Sequence, residues 1–164
     1  MAEITLNNTY FGPIIFDTDD GLWERYPLEQ GGEDTEVLIE IEPGAVEPED
    51  IDLLDEFLEV IEQVDEVSKK AFVSQFSRHR HIKGFYDHHI KFADPKKLCA
   101  AMGTSSVGMI TPEAFINKLK LCRIYMECND RCRYDFALDQ RLTDVVLSVT
   151  FNHNIEPFLI SREM

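Results

Sequence analysis

Basic residues are almost missing from the first part of this chain. Between positions 1 and 66 the only one is Arg25, against twenty-one Asp and Glu. That shortage excludes a nucleic-acid or anionic-lipid surface on this half, because phosphate must be met by Lys and Arg. Long apolar runs are missing too. None approaches the roughly 20 residues needed to span a bilayer. The opening MAEITLNNTYFG lacks the positive and apolar regions of a signal peptide, so a cytoplasmic location is expected. Cysteine is limited to Cys99, Cys122, Cys128 and Cys132. The C-x-x-x-C of the last two is not a common zinc spacing and has no second pair to complete it. Structural thiols are expected in a reducing compartment.

Catalytic signatures are missing as well. Ser105 and Ser106 sit in a Gly-bounded loop without a G-x-S-x-G elbow. The G-x-x-x-x-G of residues 103–108 lacks the Lys-Ser/Thr of a phosphate loop, and no H-E-x-x-H occurs. The DTDDG of residues 17–21 begins like a calcium loop. Position twelve of such a loop would be Leu28, where a Glu is required. No cofactor is expected.

What is present is a chain of 164 residues, 44% hydrophobic and 10% aromatic. A chain of this length buries about 68–70% of its unfolded surface, enough for one domain over residues 1–164. The net charge of −15 divides into −20 over residues 1–66 and +5 over residues 67–164. Such asymmetry speaks of partners rather than of fold.

Residues 10–16 (YFGPIIF) read as a strand bent at Gly12-Pro13. Residues 22–28 alternate Leu22, Glu24, Tyr26 and Leu28 against Trp23 and Arg25. Residues 36–42 (EVLIEIE) place Val37, Ile39 and Ile41 on one face and acids on the other, a half-buried strand. These three predict an antiparallel meander. Pro48 then opens a helix, with acids favourable at its positive end. Its stripe is Ile51, Leu54, Phe57, Leu58, Ile61 and Val64, extending to Val67, Ala71 and Val73. Residues 74–92 mix aromatic, basic and histidine residues without a clear period.

Short helices are expected over residues 95–102 and after Thr111, which caps a helix with Pro112 at its first position. From Leu121 the period returns to two. Asn129-Asp130 makes a tight turn, residues 131–138 return, residues 145–151 (VVLSVTF) form a strand, and residues 155–161 close the chain. The expected class is α+β, with an antiparallel sheet built from two meanders and helices packed on one face.

Two constellations bear on function. His79, His81, Asp87, His88 and His89 are residue types that ligate zinc, and two His two apart on a strand share a face. They support an alternative reading as a metal-dependent hydrolase. Arg78, Arg80, Lys83 and Lys91 oppose it by repelling a cation, and the acidic run argues otherwise. Asp17, Asp19, Asp20, Trp23, Glu24, Glu33, Asp34 and Glu36 cluster near the turns of the first meander, where binding side chains are commonly displayed. Aromatics anchor an interface and carboxylates steer a basic partner.

Several strings resemble those of a small uncharacterised bacterial family, the domain-of-unknown-function family 2004. They are Phe11-Gly12 in the first strand, the Trp23 strand, EVLIEIE, DIDLLDEFLEVIEQVDEVSKKAF and YDFALDQRLTDVVLSVTFNHNIEPFLISRE. The stretch from Ser77 to Lys91 departs from that pattern. Families of this kind are similar to cytoplasmic immunity proteins encoded beside interbacterial toxins. The resemblance implies stoichiometric binding of a toxin without catalysis, and supplies no catalytic residues. The function expected is thus neutralisation of a basic protein partner, a secreted interbacterial toxin domain, through an acidic surface. Neither nucleic acid nor membrane is expected to bind.

Overall fold

In the computed structural model, which describes residues 3–128 and 130–163, alternation of apolar and polar residues becomes strands. These are β1 (Glu3–Asn8), β2 (Gly12–Asp17), β3 (Leu22–Gln30), β4 (Glu33–Ile41), β5 (Lys120–Cys128), β6 (Arg131–Ala137), β7 (Val146–Asn152) and β8 (Pro157–Glu163). Helical spacing yields α1 (Ile51–Glu59), α2 (Ile61–Gln75), α3 (Arg80–Phe92), α4 (Pro95–Met102) and α5 (Pro112–Asn117).

The class is α+β. β3 to β8 form a six-stranded sheet in chain order, and β1 and β2 form a separate antiparallel pair. Val37, Ile39 and Ile41 of β4 are buried as their period required. Registered beside them are Ile124 and Met126 of β5, Tyr134 of β6 and Val149 of β7. These make the inner face, on which the helices pack. Phe72 of α2 meets Phe136 edge-on at 5.9 Å, and the buried Tyr134 hydroxyl donates to the Phe57 carbonyl at 2.8 Å. Each such aromatic contributes roughly 1.5–3 kcal/mol by leaving water.

The predicted first meander is divided. The segment 10–16 pairs with β1, whose period of two (Ile4, Leu6, Asn8) was passed over. An isolated bridge between Asp17 and Gly21 leads from this hairpin to β3, and the Phe11 ring meets Tyr26 of β3 at 6.1 Å. Gly21 takes φ +73°, and a Cβ there would lie 2.2 Å from the Ile41 carbonyl oxygen, so glycine alone fits this turn. β5 joins β4 in parallel, because the chain returns through five helices before entering the sheet again. The second meander, β5 to β8, is antiparallel throughout. Of its predicted turn at Asn129-Asp130, Asn129 lies outside the described residues.

The long predicted helix is two helices joined at Val60, whose φ −99° and ψ 19° turn the axis. The N–H of Val60 still donates to Glu56 O. Phe72, not Val73, continues the buried stripe. The unassigned segment 74–92 becomes the end of α2 and α3. Beside Gly84 of α3 the Arg162 guanidinium of β8 fills the space a Cβ would take, 2.7 Å from that position. α4 spans the expected residues, and α5 begins at Pro112 as expected. Asp94 accepts from the N–H groups of Lys96 and Lys97, and Thr111 from that of Ala114.

The four cysteines are free thiols. Cys122 and Cys132 are buried, and burial pushes each up to about 12. Cys99 and Cys128 are only half-buried, which corrects the expectation of four core thiols. Among the described residues no helix is long and apolar enough to cross a membrane.

Candidate functional site

The predicted acidic set is spread along one hairpin rather than gathered into one patch. Asp17, Asp19 and Asp20 occupy the β2–β3 turn, where Asp17 Oδ1 accepts from the Asp19 N–H at 2.8 Å. Glu33 and Asp34 sit at the opposite end, just beyond the β3–β4 turn. From the first to the last of the nine residues of β3, eight steps of about 3.3 Å separate these ends by roughly 26 Å. Between them, Glu36 lies opposite Pro27 and Trp23 opposite Glu40, all on the outer sheet face. Glu24 is on the inner side of the edge strand and accepts from the Tyr26 hydroxyl at 3.2 Å. Trp23 is 67% exposed. An indole left in water on a sheet face is an unusual expenditure of apolar surface, and such rings are enriched at interfaces.

The outer face carries a polar ladder that the sequence reading missed. Arg123 pairs with Glu40, and its guanidinium lies 4.8 Å from the centre of the Tyr125 ring. The Tyr125 hydroxyl donates to Glu42 Oε1 at 2.8 Å. Arg133 contacts the same ring at 4.9 Å and reaches Asp135 Oδ1 at 3.0 Å. The Ser148 hydroxyl donates to that oxygen at 2.7 Å. The rungs run across β4, β5, β6 and β7. Asp135 is 1% exposed. Burial raises its carboxyl above the usual range, against the opposing pull of Ser148, Arg133 and Arg123. The available signal was the period of two in residues 121–128, which puts Arg123 and Tyr125 on one face. Their partners on β4 and β6 could not be read without the register.

A cavity of about 690 Å³ opens at the lower end of the sheet, within the range of about 300–1,000 Å³ usual for small-ligand sites. Gln30 and Glu33 of the β3–β4 tip line it, with Ile61, Glu62, Asp65 and Lys69 of α2. Residues 118–121 and the segment after β6 complete the wall. Asp65 pairs with Lys69 at 3.2 Å, Glu33 with Lys120, and Asp139 with Arg141 at 2.9 Å. A hydrogen bond from Lys120 holds the Glu33 carboxyl below its ordinary value, and one from Arg141 does the same for Asp139. Of the predicted acids only Glu33 lines this cavity. Its walls come from segments far apart in the chain, so no local pattern announces it.

The histidine segment does not converge. His79 precedes α3 in extended conformation, φ −108° and ψ 109°, so neither strand nor helical spacing relates it to His81. His89 is 1% exposed, its Nδ1–H donating to Phe85 O at 2.9 Å while Nε2 accepts from Thr143 at 3.3 Å. Burial holds its imidazole below the ordinary value. Asp87 pairs with Lys83 at 2.9 Å, and the His79 and His81 rings stand 5.8 Å apart. Among the described residues no three His, Cys, Asp or Glu are grouped to hold a metal ion.

Comparison with protein-family models, with curated proteins and with solved structures found no match.

Proposed function

We propose that this chain is a stoichiometric binding protein of the immunity type, without catalysis, that covers a basic partner such as a secreted interbacterial toxin domain. The observation that carries this reading is Trp23, 67% exposed on the outer sheet face within the acidic edge hairpin β3–β4. Aromatic anchors of this kind dominate interface energies, while surrounding carboxylates raise the association rate toward a basic face. The neighbouring Tyr125, Arg123 and Arg133 add the other residue types favoured at such surfaces. The spread of Asp17, Asp19, Asp20, Glu33, Asp34 and Glu36 along the hairpin suits a partner covering its full length. Cytoplasmic residence fits this role.

The test is affinity capture from the native host at low and then high salt, followed by quantitative binding of the purified partner. A single stoichiometric basic partner, weakened by salt and by reversing Asp19, Asp20 and Glu24 to Lys, is the expected result. Absence of a partner at low salt, or affinity indifferent to both salt and charge reversal, sinks the reading.

A further inference from the structure

The cavity beneath the sheet is lined by nine charged residues, Glu29, Glu33, Glu62, Asp65, Lys69, Lys118, Lys120, Asp139 and Arg141. Three cations are already matched by Asp65, Glu33 and Asp139. Lys118 remains, with no ion pair or hydrogen bond to its ammonium among the described residues. On α2 the carboxylate of Glu62, which also lines the cavity, is likewise without an ion pair or hydrogen bond among the described residues. Glu29 of β3 is likewise without an ion pair among the described residues, and the Glu33 carboxyl is lowered by the hydrogen bond from Lys120 and also by the charge of Lys118. Ile61, Leu119 and Leu121 add an apolar floor to the same lining.

Each feature limits the ligand. A purely apolar molecule would strip water from nine charges without replacing it. A polyanion would find one unmatched cation and five carboxylates. A polycation would find Lys118 in its way and leave the floor uncovered. A molecule with a carboxylate at one end, an amine at the other and an apolar group between them satisfies all three features, through charge-assisted hydrogen bonds at both ends.

We propose that this cavity binds a small zwitterionic ligand of the short-peptide class. Its carboxylate lies at Lys118, its amine at Glu62 and its apolar side chain over Leu119 and Leu121. The cavity shares Glu33 with the proposed partner surface, but Lys118 and Glu62 lie outside it, so ligand binding by the protein alone stands or falls apart from the partner-binding function.

Titration of the isotope-labelled protein with the free-ended tripeptide alanyl-leucyl-alanine, followed by amide chemical shifts, tests it. The expected result is saturable shifts at residues 118–121 and in the first half of α2. The N-acetylated, C-amidated tripeptide, acetate and spermidine should each bind at least about tenfold more weakly, as should the Lys118→Ala and Glu62→Gln variants. Both side chains are exposed, so the variants keep the parent's thermal midpoint. The proposal is overturned by any of three results: no saturable shift up to about 10 mM, equal binding of the capped tripeptide or of acetate alone, or variants that bind like the parent.

Discussion

The side-chain amide of Gln30 pairs with the backbone of Leu121 as a neighbouring strand would. Its Oε1 accepts from the Leu121 N–H at 3.0 Å, and its Nε2 donates to the Leu121 carbonyl at 3.0 Å. The parallel ladder between β4 and β5 extends only from Leu38 to Ile41. Below it the strands part, and this amide closes the gap beside the cavity. The same Nε2 donates to Thr35 Oγ1 at 2.7 Å.

Replacing Gln30 by Leu keeps the volume and removes every partner. The half-buried N–H and carbonyl of Leu121 are then left without a protein partner, at a cost of about 1–3 kcal/mol. Urea unfolding should show an earlier midpoint at an unchanged slope, and limited proteolysis should cut sooner at Gly31-Gly32. An unmoved midpoint would mean that the amide pairing contributes nothing.

Trp23→Ala separates stability from binding. The ring is mostly in water, so unfolding free energy should change by no more than about 0.5 kcal/mol. Affinity for the protein partner should fall by about 2 kcal/mol or more if the indole is its anchor. Calorimetry on the purified pair reads this directly, and an affinity within twofold of the parent argues against the Trp23 face.

Protonation of His89 should weaken the fold. Burial, partly offset by the hydrogen bond to Phe85 O and reinforced by the nearby His88, depresses the folded value below 6.5. The unfolded chain therefore binds the proton more readily, and stability rises with pH across that window. The contribution of neutral His89 is fully present above pH 6.5 and is lost as pH falls toward the depressed folded value. In His89→Gln this part of the stability–pH curve should flatten. A variant curve parallel to the parent's would assign the titration elsewhere.

Asp135 has the opposite linkage. Desolvation raises its folded value above 3.8, so the carboxylate costs stability at neutral pH. That cost is relieved as pH falls through the raised value. Asp135→Asn keeps an acceptor for the Ser148 hydroxyl and removes the buried charge, whereas Asp135→Ala leaves both Ser148 and Arg133 without their partner. Thermal unfolding should rank the alanine variant as the less stable by about 1–3 kcal/mol. Equal stability of the two variants, or the reverse order, would show that the acceptor for the Ser148 hydroxyl contributes nothing.

The local devices were legible because they are written in adjacent residues. The caps at Asp94 and Thr111, the inward Val37, Ile39 and Ile41, and the antiparallel run from β5 to β8 all follow from spacing. β1 was not expected, because its alternation holds only two apolar residues, Ile4 and Leu6, before the polar Asn8. Nor was the break at Val60, since the apolar stripe continues through it from Phe57 to Ile61. The histidines misled for a related reason: their ligand chemistry was real, but helix α3 sets His88 and His89 about two turns beyond His79 and His81 and turns His89 inward.

Composition and spacing determined the α+β class, the acidic first half and the lone tryptophan of the edge hairpin, because charge and periodicity are properties of neighbouring residues. Tertiary structure decided the parallel joint between β4 and β5, the Arg123–Tyr125–Arg133 ladder and the cavity between α2 and β5. Each of these depends on which distant segments come to lie side by side. That choice is made by packing the whole core at once, from Leu6 to Phe151, and no local pattern encodes it.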